Sequence, residues 1–505
     1  MLLDAAGIWF AYGLFAHDGA LVATILLIVI AVINAAFLLD VLNPLRWIVP
    51  GLALMVLFVL YPVVNTLGVA LTNYGNGHLL TKEQAITQFE GQYYSPPGAP
   101  TYAWRAYRAP DDTFLLWLTD TQGRSYIGDP KTGITPTAGD DPRFGPKDDD
   151  GLPKTIGKYS KLSRLEIFPY LSTLQSFTLQ APEGILRIVS LDAAPVALHK
   201  YTYDRARDVL VDHQSGAEYQ SIDGVFTARD GSELSPGFSA SIGLRNFVRA
   251  FTDPDVRGPF FSVFLWTVAF GFLSVLLTFS LGLGLALVVN DHRLPFVGAF
   301  RALSIVPYAV PGFISALVWV GLLNPFYGQF NALLSTLTGV SPQWFSDPTL
   351  AKIAILLVNL WLGYPYMLLI SLGALQSIPG ELFEAASMDG ATGLQRFRFI
   401  TLPLILVALG PLLIGSFAFN FNNFALIDLV TGGGPPIPGT SQPAGATDIL
   451  ISYTVRLAFT GGQGGRGVDY GFAAAISVFI FLIIAAITMV NFRFSRQLEQ
   501  VSENL

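Results

Sequence analysis

Two apolar stretches of the sequence carry side-chain amides and aromatic rings that could bind a neutral, hydroxyl-rich solute. Asn359 and Tyr366 are seven residues apart, so a helix places them on one face, and Gly363 between them leaves that face open. Asn420 and Asn423 are neighbours at a spacing of i, i+3 on the next such stretch. Amides and a phenol give directional hydrogen bonds to hydroxyls, and a neutral ligand requires no carboxylate.

Two further positions extend this polar and aromatic group. Tyr308 lies between Pro307 and Pro311, where a helix is expected to bend because proline lacks a backbone donor. Phe419 precedes Asn420 and offers a ring on which a sugar can stack. The amides also have a structural interpretation, since Asn side chains commonly join membrane helices. The residues by themselves leave both interpretations open for each Asn.

No catalytic or metal-binding pattern accompanies these residues. The chain has no Cys, which excludes disulfides, thiolate metal sites and cysteine nucleophiles. The five His are scattered without an H-E-x-x-H spacing, and no nucleophile is paired with a base. We therefore expect no catalytic residues, no metal site and no enzyme activity.

A second group of residues lies in a polar connection between two apolar runs. Glu384, Ala385 and Ala386 continue a stretch of good helix propensity, which Gly390 can end in a left-handed turn. A second short helix should follow, giving a compact helix-turn-helix with exposed apolar side chains. Such a knob suits a hydrophobic groove on a partner, with Glu384 and Asp389 forming ion pairs at its rim. An ordinary interfacial loop is the alternative.

The composition predicts that membrane helices position both groups. Hydrophobic residues make up 52% of the 505 residues and charged residues 13%, against about 25% charged in soluble domains. A span needs about 20 apolar residues, and the sequence predicts about eight such spans. The net charge of −7 gives no basic footprint for nucleic acid. The apolar runs are 5–16, 20–39, 47–71, 259–289, 299–323, 350–375, 404–430 and 470–490.

The distribution of Lys and Arg predicts the orientation. Short basic loops alternate with a connection at 324–348 that has neither Lys nor Arg, and basic loops face the cytoplasm. Arg456 and Arg466 are exceptions, because their loop is expected on the outer side. The basic residues assigned to the inner side are Arg46, Arg293, Arg301, Arg396, Arg398, Arg493 and Arg496.

The composition changes abruptly between Asn73 and Arg257. Charged residues, Gly and Pro become common, and short alternating runs separated by turn signals are typical of strands. This predicts a soluble, β-rich insertion on the outer side, followed by a surface helix at 241–251. The predicted divisions are 1–73 for N-terminal transmembrane helices, 74–257 for the insertion, 258–492 for the transmembrane core with its loop at 377–403, and 493–505 for a cytoplasmic tail.

The polar connection at 377–403 resembles the EAA loop of ABC importer permeases. It carries E-A-A at 384–386, Gly390 and an I-x-L-P pattern at 400–403. Other motifs resemble the MalF family, the larger permease subunits of maltose/maltodextrin importers, and the likeness covers nearly everything from Ala299 onward. These motifs are P-Y-A-V-P at 307–311, W-F-S-D-P at 344–348, N-L-W-L-G-Y-P-Y at 359–366 and F-A-F-N-F-N-N-F at 417–424.

The resemblance implies a type I ABC importer permease, an α-helical polytopic protein of the bacterial inner membrane with an extracytoplasmic, immunoglobulin-like insertion. It implies maltose/maltodextrin import driven by ATP and Mg²⁺ bound in partner subunits, with no cofactor in this chain. The implied partners are a second permease (MalG-like), two ATPases (MalK-like) and a sugar-binding protein (MalE-like). The implied ATPase-coupling residues are Glu384, Ala385, Ala386, Asp389 and Gly390.

The resemblance also implies a set of sugar contacts. Gly312 departs from the family pattern, which has a Ser that contacts the sugar, so the affinity and preferred chain length are left open. The implied substrate-binding residues are Tyr308, Asn359, Leu362, Gly363, Tyr366, Phe419, Asn420 and Asn423.

Three other functions make different demands on the sequence. An ion-coupled carrier usually buries Asp, Glu or His in its spans, and the last five runs have few ionisable residues. A membrane-anchored sensor would need a cytoplasmic output domain, and the chain after Phe492 is short. A permease for another small polar solute, such as trehalose or a glycerol phosphate, stays open.

Overall fold

The chain folds into two compact units, one of which is inserted into the other. The computed structural model describes residues 2–16, 20–39, 41, 44, 46–137, 141–291, 295–461 and 467–503. The first unit comprises Met1–Asn76 and Ala240–Leu505, and the second is the insertion Gly77–Ser239. Arg293 and Arg466, which bear on the predicted orientation, lie outside the described residues.

Apolar helices build the first unit, as the composition predicts. Within the described part of the chain, five helical segments are long and apolar enough to cross a membrane: Val49–Ala70, Pro254–Val289, Pro348–Gln376, Gly393–Phe421 and Tyr470–Arg493. The helices in chain order are α1 (Leu2–Ala16), α2 (Ala20–Leu38), α3 (Val49–Met55), α4 (Tyr61–Ala70), α5 (Lys82–Glu90), α6 (Leu171–Gln175), α7 (Arg245–Thr252), α8 (Pro254–Val289), α9 (Val297–Ala309), α10 (Gly312–Leu322), α11 (Gln329–Thr338), α12 (Pro348–Gln376), α13 (Gly380–Met388), α14 (Gly393–Arg396), α15 (Leu402–Phe421), α16 (Phe424–Thr431), α17 (Leu450–Phe459) and α18 (Tyr470–Glu503).

Two predicted spans are broken rather than continuous. The run 299–323 bends by 93° between α9 and α10, where Val310 and Pro311 adopt extended backbone. Proline at this point cannot donate the hydrogen bond that would continue the helix. The run 404–430 is interrupted at Asn422, and the side-chain oxygen of Asn423 caps α16. Two π-helical turns, Val56–Leu60 and Phe397–Thr401, join α3 to α4 and α14 to α15.

Helices α8 and α12 pack closely because glycine stands at two points of their contact. A Cβ on Gly282 would lie 2.5 Å from Cβ of Met367, and a Cβ on Gly363 would lie 2.7 Å from the methyl group of Thr278. Real Cβ atoms do not approach so closely. At Gly282 the backbone N of Leu368 is also only 2.7 Å away, so a side chain there would force the two backbones apart, whereas a side chain at 363 would have to displace the Thr278 methyl group. Two apolar clusters flank this contact: one includes Trp266, Phe270, Ile355 and Val358, and the other Phe279, Leu283, Leu368 and Leu372.

The short helix α7 contacts the segment that follows α4 and the segment that precedes α18. The Asn246 side chain donates to the carbonyl oxygens of Ala70 (3.0 Å) and Thr72 (2.8 Å). Arg249 forms an ion pair with Asp469, at 2.6 Å, just before α18. The observed helix spans Arg245–Thr252, within and just past the predicted surface helix. It belongs to the membrane unit, so the compact insertion is narrower than the predicted 74–257.

Arg456, an exception to the charge rule, is explained by a buried partner. Its Nε lies 3.4 Å from Oδ1 of Asp448, whose side chain is completely buried. Asp448 also accepts hydrogen bonds from the backbone N–H of Gly445 (2.7 Å) and the hydroxyl of Ser452 (2.8 Å). Burial raises the pKa of Asp448 to about 6, and Arg456 opposes this rise.

The inserted unit is an antiparallel β structure. Ten strands form a sheet with the path β5-β4-β3-β2-β10-β9-β8, with β1, β6 and β7 paired beside it, and five strands form a meander in the order β11 to β15. The strands are β1 (Tyr93–Tyr94), β2 (Thr101–Arg108), β3 (Phe114–Thr119), β4 (Ser125–Asp129), β5 (Gly133–Pro136), β6 (Thr155–Ile156), β7 (Tyr159–Lys161), β8 (Leu179–Ala181), β9 (Gly184–Leu186), β10 (Ala194–His199), β11 (Tyr201–Asp204), β12 (Val209–Asp212), β13 (Glu218–Ile222), β14 (Val225–Ala228) and β15 (Glu233–Leu234).

The side chains of strand β3 contribute to an apolar core on each face of its sheet. Leu116 and Leu118 belong to one apolar cluster, with Trp104 of β2, whereas Leu115 and Trp117 belong to another. Successive side chains of a strand point to opposite faces, so the continuous apolar run FLLWLT serves two cores.

The α18 helix of the membrane unit continues through Glu503, past the predicted end of the last span.

Candidate functional site

A cavity of about 590 Å³ opens in the membrane unit beside the break between α9 and α10. Its walls come from α8, α9, α10, α12 and α15. Leu362, packed against one of the two apolar clusters, and Met367, from the other, line it together with polar residues. All eight residues that the sequence proposes as sugar contacts line it. They are Tyr308, Asn359, Leu362, Gly363, Tyr366, Phe419, Asn420 and Asn423.

The side-chain amides of Asn359 and Asn420 form a hydrogen bond to each other in the cavity wall. Nδ2 of Asn359 on α12 donates to Oδ1 of Asn420 on α15, at 2.9 Å, and Nδ2 of Asn420 donates to the carbonyl oxygen of Ser416, at 2.8 Å. Both side chains are buried. This pair joins two helices, as the structural interpretation of the amides expects, and it also orients both amides at the cavity surface.

The third amide has a different position. Asn423 lies between α15 and α16, and its side-chain oxygen accepts from the backbone N–H of Leu426 at 3.3 Å. The carbonyl oxygen is thereby engaged, which leaves the NH₂ end of a cavity-lining amide as its hydrogen-bond donor. The two exposed rings, Tyr308 and Phe419, are 58% and 68% exposed in the single chain.

The two glycines of the set have unlike surroundings. Gly363 lies against the Thr278 methyl group, which a side chain at 363 would have to displace, so the glycine serves helix packing as well as the open face that the sequence indicates. A Cβ on Gly312 would meet nothing nearer than a methyl group of Leu362, at 4.0 Å. A small side chain at 312 would therefore fit and would project into the cavity.

The cavity also includes residues that the sequence interpretation did not select. Ser416 lies one helical turn before Asn420, so the same periodicity could have found it. Thr278 lies on α8, which the sequence gives no reason to place beside α12. The remaining lining residues are Pro307, Val310, Met367, Pro411, Leu412 and Gly415. Within the described part of the chain, no three His, Asp or Glu side chains are grouped as a metal site requires.

The polar connection at 377–403 forms the expected helix-turn-helix. Helix α13 is terminated two residues after Met388 by Gly390, whose φ of +78° lies in the left-handed region. The backbone N–H of Ala391 donates to the carbonyl oxygen of Ala386 (2.9 Å), and that of Gly390 to Ser387 (3.1 Å). These two bonds are the Schellman pattern that ends a helix at glycine.

Helix α14 follows after one tight turn and is held against α13. Thr392 and Gln395 form a capping box, and a guanidinium N–H of Arg396 donates to the Ser387 hydroxyl at 2.9 Å. None of the residues of α13 is buried, and Glu384 and Asp389 are exposed. Met388 and Leu394, 89% and 76% exposed, belong to the exposed apolar surface of this helix-turn-helix.

Comparisons with known proteins find matches over most of the chain. Residues 53–131 match the family described as the N-terminal of the TM subunit in PBP-dependent ABC transporters. Residues 278–500 match the binding-protein-dependent transport system inner membrane component family. The chain is 41% identical to the maltose/maltodextrin transport system permease protein MalF of Salmonella typhimurium, covering 89% of this chain and 87% of that protein.

Two further comparisons are similar in kind. MalF of Escherichia coli (strain K12) is 40% identical, again over 89% of this chain and 87% of the relative. Among solved structures, a bacterial ABC transporter involved in the import of the acidic polysaccharide alginate is 26% identical. It matches 51% of this chain and 84% of that chain, with a TM-score of 0.42.

Proposed function

This chain belongs to the MalF family of maltose/maltodextrin transport system permeases, and from that premise we propose that maltose and maltodextrins pass inward through the cavity beside α9 and α10. The chain is a membrane permease subunit of an ABC importer and not an enzyme. The proposal therefore concerns which solute the cavity holds, and which subunits supply the energy.

The chemistry of the cavity lining supports a neutral sugar. Amides, hydroxyls and aromatic rings line it, and among its described lining residues there is no Asp, Glu, Lys, Arg or His. A proton-coupled carrier would need an ionisable group in such a place, and an anionic solute such as a glycerol phosphate would need a cation. Trehalose, a neutral sugar, is the alternative that this lining permits, and the open space at Gly312 is where selectivity among sugars could be set.

The helix-turn-helix supports coupling to ATPase partners. We expect Glu384, Ala385, Ala386, Asp389 and Gly390 to enter a cleft of a MalK-like ATPase that binds ATP and Mg²⁺. The exposed apolar side chains Met388 and Leu394 would then be covered by the partner. The complete machine would contain one MalG-like permease, two such ATPases and a MalE-like sugar-binding protein that meets the insertion on the outer side.

Alternating access follows from this arrangement. Closure of the ATPases moves α13 and α14, the π-helical turn Phe397–Thr401 passes that motion to α15, and α15 carries Phe419 and Asn420 of the cavity. The cavity turns outward when ATP is bound and inward after hydrolysis. The continuity of the segment Gly393–Phe421 makes this a direct mechanical path from the inner loop to the sugar.

The proposal is tested by uptake of labelled sugars into proteoliposomes that contain the assembled transporter and ATP. We expect uptake of maltose and maltotriose in preference to trehalose and glycerol phosphate, and none when this chain is reconstituted alone. Nucleotide-independent uptake by the chain alone would overturn the assignment of an ATP-driven importer.

Asn423 provides the matched variants for the cavity. Asn423→Ala removes both the amide and the cap of α16, which costs about 1 kcal/mol of stability. Asn423→Ser keeps a capping oxygen and replaces the NH₂ group by the single O–H of a shorter side chain. We expect Asn423→Ser to assemble at the parent yield, measured by gel filtration, while its maltose uptake falls at least about tenfold, the loss that follows when a buried polar partner is missing. Unchanged uptake with reduced assembly would instead assign Asn423 a purely structural role.

A further inference from the structure

The connection between α10 and α12 carries an apolar surface that the transport mechanism does not use. It runs from Leu323 to Asp347 and contains the ten-residue helix α11, Gln329–Thr338. No Asp, Glu, Lys or Arg occurs between 323 and 346. A water-exposed loop of this length ordinarily carries several charges, so its composition indicates a different environment.

One face of α11 is fixed to the protein. Phe330 and Leu334 pack against the apolar cluster that contains Trp344. Asn331, which is buried, accepts from the indole N–H of Trp344 at 2.6 Å and donates to the carbonyl oxygen of Pro342 at 3.0 Å. The helix is therefore held at a definite rotation about its axis, and its other face is turned outward by the same contacts.

That outer face consists of large apolar side chains. Leu333 and Leu337, one helical turn apart, are 56% and 73% exposed. Phe326 and Tyr327, just before α11, are 90% and 77% exposed, and Val340 after it is 59% exposed. A cluster of this kind in water is unusual on a protein surface and marks a surface that is covered by something else.

Two hydroxyl groups of α11 are satisfied within the helix. Thr336 donates to the carbonyl oxygen of Ala332 at 2.8 Å, and Thr338 donates to that of Leu334 at 2.7 Å. A hydroxyl that is bonded in this way loses little when it leaves water. Gln329 and Ser335 of the same helix are exposed polar side chains, so α11 suits a hydrated headgroup layer rather than the hydrocarbon core.

We propose that this face of α11, with Phe326 and Tyr327, lies in the headgroup layer of the lipid bilayer. Helix α10 ends at Leu322 and α12 begins at Pro348, and both belong to candidate membrane spans. The connection is therefore tethered at both ends to segments that leave the hydrocarbon core, which holds α11 near the membrane surface. Aromatic side chains at that level are typical of membrane proteins, and an exposed apolar helix face binds there in the plane of the interface.

A lipid is a better occupant than a protein partner because the surface offers no charged contacts. A docking site for a protein usually combines a buried apolar centre with a polar rim that fixes the orientation of the partner. Here the chain from 323 to 346 has no charged residue, and the described hydroxyls of Thr336 and Thr338 already have acceptors. Lipid requires no such rim.

The absence of Cys in this chain allows a direct test in the transporter assembled with partner subunits from which any Cys has been removed. Single variants Leu337→Cys and Leu333→Cys are labelled with a nitroxide in vesicles of phosphatidylethanolamine and phosphatidylglycerol. Collisions with oxygen, which concentrates in lipid, are compared with collisions with a water-soluble nickel chelate. Leu482→Cys on α18, at a side chain that is 56% exposed, is the lipid control, and Leu165→Cys in the insertion, 81% exposed, is the water control.

We expect the oxygen-to-nickel accessibility ratio at 333 and 337 to exceed that at 165 by about fivefold, because an interfacial helix face excludes the chelate. The ratio should remain below that at 482. Accessibility to nickel equal to that at 165 would show that α11 faces water. Low accessibility to both reagents would show that a protein covers it. Either result would overturn the proposal.

Discussion

The hydrogen bond between Asn359 and Asn420 gives each amide two roles, one in joining helices and one at the cavity surface. Removing one partner, as in Asn359→Leu, leaves a buried carbonyl oxygen on Asn420 without its donor. Hydrogen bonds between membrane helices contribute about 0.6 kcal/mol on average and up to about 1.7 kcal/mol. The pair is buried, so its contribution should lie in the upper part of that range.

A double-mutant cycle measures this coupling. We expect Asn359→Leu and Asn420→Leu each to lower the free energy of unfolding, and the double variant to lose about 1 kcal/mol less than the sum of both losses. Thermal or SDS-induced unfolding of the purified chain gives these values. Additive losses would mean that the two amides act separately and that their contact contributes nothing.

The buried carboxyl of Asp448 should make stability depend on pH. Its folded pKa of about 6 is above its ordinary value of 3.8, so protonation favours the folded state. The contribution is complete below pH 3.8 and is lost as the pH rises through 6. Between pH 5 and pH 7.5 the parent should lose about 1 kcal/mol from this group.

Asp448→Asn should remove that loss, so its unfolding midpoint should change less than that of the parent between these two pH values. Asp428→Asn is the control for removing one nearby negative charge. Asp428 is exposed on α16 and makes the smallest contribution to the pKa of Asp448, whose closer charged partner is Arg456, so most of the pH response should remain. Equal pH responses in the parent and Asp448→Asn would refute the assignment to this carboxyl.

At the level of single residues, types and spacing were sufficient to select side chains that line one cavity. Helical periodicity brings Asn359 close to Tyr366 on one face, whatever the helix packs against. The same reasoning could not show that Asn359 bonds to Asn420, since that contact depends on how α12 and α15 pack. It also could not show that Arg456 has a buried partner.

Among the helices, the turn at Gly390 is the element on which the proposed coupling to ATPase partners depends. Its φ of +78° costs an L-residue about 1 kcal/mol, so Gly390→Ala should loosen the end of α13 without affecting the membrane helices. We expect normal membrane insertion but weaker retention of the ATPase subunits during affinity purification, with a matching loss of maltose-stimulated ATP hydrolysis.

Gly393→Ala is the matched control three residues later. Gly393 begins α14, has no positive φ, and a Cβ there would meet no atom within 4 Å. It should retain the ATPases as the parent does. If both variants behave alike, or if Gly390→Ala assembles and transports normally, the coupling role of this turn is wrong.

The existence of most helices follows from apolar runs, but their interruptions do not. Proline at 311 indicates a bend, whereas the angle of 93° is set by the packing of α10 against α16 and α12. The break at Asn422 was not predicted, because the run from 404 to 430 is apolar enough on average to be read as one span despite Asn420, Asn422 and Asn423. It arises because Asn423 caps a new helix, which competes with continuing the old one.

At the scale of the whole molecule, the insertion should fold without the membrane unit. Its ends meet within the unit, since the backbone N–H of Ser239 donates to the carbonyl oxygen of Leu80 at 2.8 Å. The excised segment 77–239 should be soluble and unfold cooperatively in urea. Trp104 and Trp117 report on the two separate cores, and coincident transitions at both sites are expected.

Trp104→Phe and Trp117→Phe separate the two fluorescence signals. An excised segment that lacks a cooperative transition would show that the insertion depends on the rest of the chain. The strand order of this unit could not be predicted, because pairing β10 with β2 joins residues more than 85 positions apart. Alternation along the chain predicts strands, but it carries no information about distant neighbours.

The close approach of α8 and α12 has a consequence for redesigning selectivity. Glycine at 282 and at 363 fixes the spacing of the two backbones, so a combinatorial library that varied these codons would mostly yield misfolded clones. Position 312 has no such constraint, because a Cβ there would meet nothing nearer than a methyl group of Leu362 at 4.0 Å. Diversity directed to this site, with 282 and 363 kept invariant, should be the most economical route to permeases for other oligosaccharides.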